Sequence, residues 1–214
     1  MQDITIKEFC SSLSRFVVGT EGNLSYRTVD GFAVKSSGRS ISDNSFVLCD
    51  IDGTPLSGQD DKPSMESSFH SFIYKNTDYK FIAHTHPTNV LKILCSSSNI
   101  VYDFANERLF PDQVVFNEST ACVVPYATPG KNLTTAIMKA VTYHRSLSWP
   151  SLFLLRSHGI ICCAYSMKQA VVMTEICEKS AEIFLGAYCP VFLTEQQVLE
   201  IENNKDETYR KHAI

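Results

Sequence analysis

A chain of 214 residues is long enough to bury one hydrophobic core and short for two, so a single domain over residues 1–214 is expected. Its 19 Lys and Arg against 23 Asp and Glu give a net charge of −4, without the broad basic field that nucleic-acid binding draws on. The composition, 44% hydrophobic and 20% charged, is that of a globular protein, and no run approaches the ~20 consecutive apolar residues of a membrane span.

The first residues carry no basic region followed by an apolar run, so no signal peptide is expected. Eight scattered cysteines without a Cys-x-x-Cys pair read as free thiols in a reducing cytoplasm. Thr5-Ile6-Lys7-Glu8 has the spacing of a capping box. Phe9, Leu13, Phe16 and Val17 follow at helical intervals, which predicts a first helix ending near Val18-Gly19. The turn Thr20-Glu21-Gly22-Asn23 leads into strand-like runs at 24–28 and 31–35, and 46–51 reads as a third strand.

Pro63-Ser64 opens a predicted helix to about Lys75, with Ser64 as N-cap. Residues 79–84 read as a strand, and Pro87 starts a helix to about Leu94. Residues 97–118 read as a long irregular loop, and loops of that length are usually functional. A short strand at 121–125 and a helix from Thr128-Pro129-Gly130 to about His144 follow. Residues 151–156 read as a buried strand that 160–164 extends beyond a sharp turn at His158-Gly159. Ser166-x-x-Gln169 caps the longest helix, with Ala170, Met173, Cys177, Ala181, Phe184 and Tyr188 on its inner face. Thr194-x-x-Gln197 starts a short final helix, and a polar tail begins at Lys205. Interspersed strands and helices predict an α/β layered fold.

Several places can carry chemistry. In His84-Thr85-His86, at a strand end, residues two apart face the same way and can meet one metal. An isolated His-x-His is more often a pair of solvated histidines. His158, at a second strand end, changes that balance, because three imidazoles leave a metal with an open position, the arrangement of a catalytic site. Glu66, one or two residues into its predicted helix, suits the helix dipole by itself. His70, on the same face, reads as a packing residue. Small turns at 20–23 and Ser36-Ser37-Gly38, and the helix start at Ser64, can aim amides at a phosphate.

Together these segments resemble the class II aldolase/adducin family, the zinc-dependent sugar-phosphate aldolases. They are the run from Gly19 through Glu21-Gly22-Asn23 to Arg27, Ser37-Gly38, Lys62-Pro63-Ser64-Met65-Glu66 with His70, and His84-Thr85-His86-Pro87. Further on come Val124-Pro125-Tyr126-Ala127-Thr128-Pro129-Gly130, Ser157-His158-Gly159, and a helix with Ala170 and Glu175. The resemblance implies a three-layer α/β/α sandwich with a mostly antiparallel central sheet, assembled as a homotetramer. It implies metal ligation by His84, His86, His158 and Glu66, with Glu66 also the acid/base. Phosphate binding would fall to Gly22, Asn23, Ser37, Gly38, Ser64 and Met65. Tyr102, and less so Tyr209, is a candidate second acid from a neighbouring subunit.

Zinc suits such ligands, as do manganese, cobalt and iron. The chain departs from the family's usual pattern at Glu21 (a small residue), Met65 (a serine) and Lys35 (a threonine). The implied activity is cleavage of a ketose 1-phosphate or related sugar to a dihydroxyacetone-phosphate-like ketone and an aldehyde. Alternatives on the same scaffold are a sugar-phosphate 4-epimerase, dehydratase or decarboxylase, a structural zinc site, or a non-catalytic adducin-like module.

Overall fold

A computed structural model describes residues 4–118, 120–144 and 148–212, the side chains of 211 and 212 excepted. The reciprocal Thr5–Glu8 capping box opens α1 (Ile6–Ser14) as predicted, but the helix stops short of Val18. The reason is tertiary: the Phe16 carbonyl accepts the His86 N–H at 3.0 Å, so the chain leaves the helix to reach the end of another element. β1 (Asn23–Arg27), β2 (Gly31–Lys35) and β3 (Phe46–Asp50) follow as an antiparallel meander.

The predicted 63–75 helix is corrected at its start. α2 spans Ser67–Asn76, and Glu66, not Ser64, occupies the N-cap position without using its side chain to cap. Ser64 is held in a turn by donating its N–H to the Lys35 carbonyl at 3.0 Å and accepting the Ser67 N–H at 3.0 Å. β4 (Phe81–Thr85) then runs antiparallel to β1, pairing His84 with Asn23, and α3 (Thr88–Leu94) follows Pro87.

Residues 97–118 are not a loop. They form α4 (Ser98–Asn106) and α5 (Pro111–Asn117). What stabilises this segment is the buried Arg108, whose guanidinium donates to the carbonyls of Phe104, Ala105, Glu107 and Glu118. Four acceptors around one buried cation satisfy the open carbonyls at the helix ends, an interaction that periodicity cannot reveal.

β5 (Cys122–Val124) and α6 (Lys131–Tyr143) precede β6 (Leu152–Leu155) and β7 (Gly159–Ala164). The run 160–164 does not extend β6 but folds back on it as an antiparallel partner, with Ser157 at φ 52° in the turn. α7 (Met167–Gly186) ends before Tyr188, which is almost fully exposed and not on the inner face. α8 (Glu195–Glu202) starts from the Thr194 capping box. The tail from Lys205 is itself helical, α9 (Lys205–His212), pinned to α5 by an Arg210–Asp112 ion pair at 2.8 Å.

The seven strands form one sheet in the order β3-β2-β1-β4-β7-β6-β5, antiparallel except for β5 beside β6. Alternate residues of the central strands feed two cores. Ala83, Leu154, Ile160 and Cys162 pack under α1, α3, α4 and α7, while Ile82, Phe153, Ile161 and Cys163 pack under α2 and α6. Burial on both faces is why these strands read as continuous apolar runs, each large side chain contributing roughly 1.5–3 kcal/mol. The three-layer arrangement matches the expected α/β/α sandwich. All eight cysteines are free thiols, and among the described residues no helix is long and apolar enough to cross a membrane.

Candidate metal centre

The ends of β4 and of the β6–β7 hairpin meet over the start of α2, and that meeting point gathers the histidines. One nitrogen from each of His84, His86 and His158 lies within 4.8 Å of the others. The ring centroids are 4.9–5.1 Å apart in edge-on pairs. His84 is fully buried; its Nδ1 donates to the Ile160 carbonyl at 2.8 Å, which leaves the Nε2 lone pair facing inward. His86 Nε2 lies 3.2 Å from His84 Nε2. With His84 protonated at Nδ1, its Nε2 lone pair and the His86 ring face the same small space, where a cation can be held.

Glu66 completes the cluster. Its Oε2 accepts from Asn23 Nδ2 at 2.8 Å and lies 3.3 Å from His84 Nε2, while Oε1 lies 3.6 Å from His158 Nε2. Oε1 is buried with no hydrogen-bond partner among the described residues. A buried carboxylate oxygen without a donor is costly unless a cation satisfies it. Three imidazoles, an orphaned carboxylate oxygen and their convergence fit a divalent ion of the zinc, manganese, cobalt or iron kind.

His70 is not part of this cluster, yet it sets it. Its Nε2 hydrogen-bonds Asn23 Oδ1 and its Nδ1 meets Ser25 Oγ at 2.7 Å, so the Asn23 amide is oriented with its nitrogen toward Glu66. Asn23, expected at the phosphate, thus spends both ends of its side chain on His70 and Glu66. The signal was available in the sequence only as spacing, since its position opposite His84 depends on strand register.

Two glycines make room for the convergence. A Cβ at Gly22, which has φ 62°, would lie 2.6 Å from the His84 carbonyl oxygen. At Gly159 it would lie 2.5 Å from both His86 Cδ2 and the Thr85 carbonyl oxygen. Gly159→Ala is therefore expected to push the His86 ring off its position and destabilise the fold by roughly 1–3 kcal/mol. Thermal melting and a zinc titration check it: the expected result is a melting point several degrees lower and weaker metal binding.

The remaining expected phosphate residues do come together. Ser37 donates its N–H to the Lys62 carbonyl at 2.8 Å, which joins the 36–38 turn to the 62–66 turn. Lys35 Nζ donates to the carbonyls of Thr20 (2.8 Å) and Arg39 (2.6 Å), tying the 20–23 turn to the same place. The N–H groups of Ser37 and Ser64 are taken by these bonds. Those of Gly38 and Met65 have no backbone partner among the described residues, and the Met65 side chain is exposed. Glu21 turns away from this pocket, toward His86. Tyr102 lies in α4, not in a loop. It lines a separate cavity of about 790 Å³ with Ala121, Lys139 and Tyr143, and no residue of the histidine cluster borders that cavity. Tyr209 is exposed on α9.

Burial lowers the pKa of His70 and His86 to about 3 and of His158 to about 4. Burial alone would raise the Glu66 carboxyl, but the imidazoles of His84 and His158 and the Asn23 amide outweigh it and bring it to about 2. Every one of these groups is thus more easily protonated unfolded than folded. In metal-free protein the histidine contribution to stability is present above the ordinary imidazole value of 6.5 and is lost as pH falls through the folded values of about 4 and about 3. The Glu66 contribution is lost below 4.5. Chelator-treated protein is expected to take up two to three protons on unfolding near pH 5, roughly 3–4 kcal/mol per pH unit. Urea unfolding at pH 5, 6 and 7 measures that slope.

This fold and this cluster define a class of metal-binding α/β enzyme, and comparison with known proteins gives the class its family. The model of the class II aldolase and adducin N-terminal domain matches residues 9–185. The chain belongs to that family. A 3-oxo-tetronate 4-phosphate decarboxylase of Haemophilus influenzae is 32% identical over 95% of this chain and 99% of its own. An L-fuculose phosphate aldolase of Methanocaldococcus jannaschii is 25% identical over 80% of this chain and 87% of its own. The crystal structure of YgbL from Klebsiella pneumoniae superimposes with a TM-score of 0.75 at 26% identity, covering 92% of this chain and 99% of that one.

Proposed function

We propose that the protein is a divalent-metal-dependent decarboxylase of 3-oxo-tetronate 4-phosphate, releasing CO2 and dihydroxyacetone phosphate. The observation that carries this reading is the end-to-end match, at 32% identity, to a relative named for that activity. A second such relative, from Escherichia coli K12, is 29% identical over 88% of both chains. The sequence alone ranked ketose-phosphate cleavage first. These relatives reverse that order in favour of the decarboxylase alternative. The intact histidine cluster weighs against a non-catalytic adducin-like module.

The substrate is a β-keto acid, with its carboxylate on C2, a ketone at C3 and the phosphate on C4. His84, His86 and His158 would hold the divalent ion, which would supply Lewis-acid stabilisation of negative charge on the C3 oxygen. Glu66, ionised at neutral pH, takes the 2-hydroxyl proton and returns it to C2, where the electron pair of the lost carboxylate resides. The C2 oxygen is then reprotonated from solvent, so one proton is consumed per CO2 released. The amides of Gly38 and Met65, with the Ser37 and Ser64 hydroxyls, receive the phosphate.

This reaction leaves no aldehyde alkoxide to protonate, so it needs no second acid. Tyr102 would be required only for carbon–carbon cleavage that yields an aldehyde, and then only across a border between subunits of a tetramer. The deciding experiment supplies metal-loaded protein with 3-oxo-tetronate 4-phosphate and, separately, with L-fuculose 1-phosphate. CO2 and dihydroxyacetone phosphate in equal amounts from the first support the reading; aldehyde release from the second alone overturns it.

A further inference from the structure

Beside the three imidazoles stands a carboxylate outside the expected ligand set. Glu21 Oε2 lies 3.4 Å from His86 Nδ1, and the same oxygen accepts the Val18 N–H at 3.0 Å. We propose that Glu21 is a positioning residue of the metal centre: it accepts the Nδ1–H of His86 and so presents the Nε2 lone pair of that ring to the divalent ion. The inference rests on the reading of the histidine cluster as a metal site.

The rings are held differently. His84 is anchored by the Ile160 carbonyl inside the sheet. His86 lies one residue past the end of β4, where no strand partner fixes it, and its Nδ1 has no other partner among the described residues. A histidine that ligates metal through one nitrogen is held in tautomer and orientation by an acceptor on the other, and a carboxylate there also makes the ring a stronger donor. The turn that carries Glu21 is itself braced. The adjacent Thr20 carbonyl receives the buried Lys35 ammonium, and the Glu21 N–H donates to the Val18 carbonyl at 3.1 Å.

Charge favours the same assignment. Three neutral imidazoles contribute nothing against a dication, so Glu66 and Glu21 together balance its two charges. Glu21 thereby occupies a position where a carboxylate is an asset, although it sits in a turn beside the expected phosphate pocket.

The experiment compares zinc affinity of wild type, Glu21→Ala and Glu21→Gln by competition with a chromophoric chelator, together with the visible spectrum of the cobalt-loaded proteins. The Glu21 side chain is about half exposed, so the metal-free variants are expected to melt with wild type. Alanine is expected to weaken zinc binding about 10- to 100-fold and to alter the cobalt spectrum. Glutamine, whose amide oxygen can still accept the Nδ1–H, is expected to recover most of the affinity. Alanine binding within about threefold of wild type, or glutamine no tighter than alanine, overturns the inference while leaving the metal centre intact. Wild type that binds no zinc overturns the metal centre and this inference together.

Discussion

His84→Ala is expected to abolish stoichiometric metal binding and, with it, activity. His84 is the innermost of the three candidate ligands: fully buried, held at Nδ1 by the Ile160 carbonyl, and packed edge-on against Phe69 with centroids 5.7 Å apart. If a zinc site of four ligands is worth about 10–16 kcal/mol, one ligand carries about 3 kcal/mol, a loss of at least about a hundredfold in affinity. Removing the ring also takes away the histidine nearest Glu66, whose Oε1 atom is already without a donor among the described residues. Elemental analysis after dialysis measures the loss. His144→Ala removes a histidine at the end of α6, outside the cluster, and is expected to keep one zinc per chain. Equal zinc content in the His84 and His144 variants would contradict the assignment.

Glu66→Gln separates proton transfer from metal binding. Glutamine keeps the shape of the side chain, and its amide oxygen can still accept from Asn23 Nδ2. Metal is expected to bind more weakly, by up to about the hundredfold of one ligand, yet still to fill the three imidazoles when supplied in excess. What is lost is a carboxylate that is ionised at neutral pH and able to take and return a proton. General acid–base catalysis contributes about 10²–10⁴-fold, and a fall of that size in kcat with little change in KM is the expected result. Steady-state kinetics on metal-loaded protein measure it. Turnover within tenfold of wild type would mean that another group carries the proton.

Much of this centre was readable before any coordinates, for physical reasons specific to its residues. His84 and His86 share a face because strand side chains alternate, and His158 follows an apolar strand that had to end there. Glu66 was different: its helix-start position was an ordinary place for a carboxylate, and only the combination of motifs singled it out. Its exact placement was misread because Ser64 looks like an N-cap, whereas its backbone is recruited by Lys35.

The parts that were illegible depend on contacts between distant segments. Asn23 bridges His70 and Glu66 only once β1 and β4 are in register. α4 and α5 are held by Arg108, a polar residue whose burial no local pattern announces. Helix α1 ends early because the Phe16 carbonyl is needed at His86. In each case tertiary hydrogen bonding overrode what the local sequence favoured.

The most direct test is crystallographic: anomalous diffraction at the zinc edge from crystals of the zinc-loaded protein. One strong peak is expected at about 2.0–2.1 Å from a nitrogen of each of His84, His86 and His158. A zinc peak elsewhere, or none within bonding distance of all three rings, would contradict it.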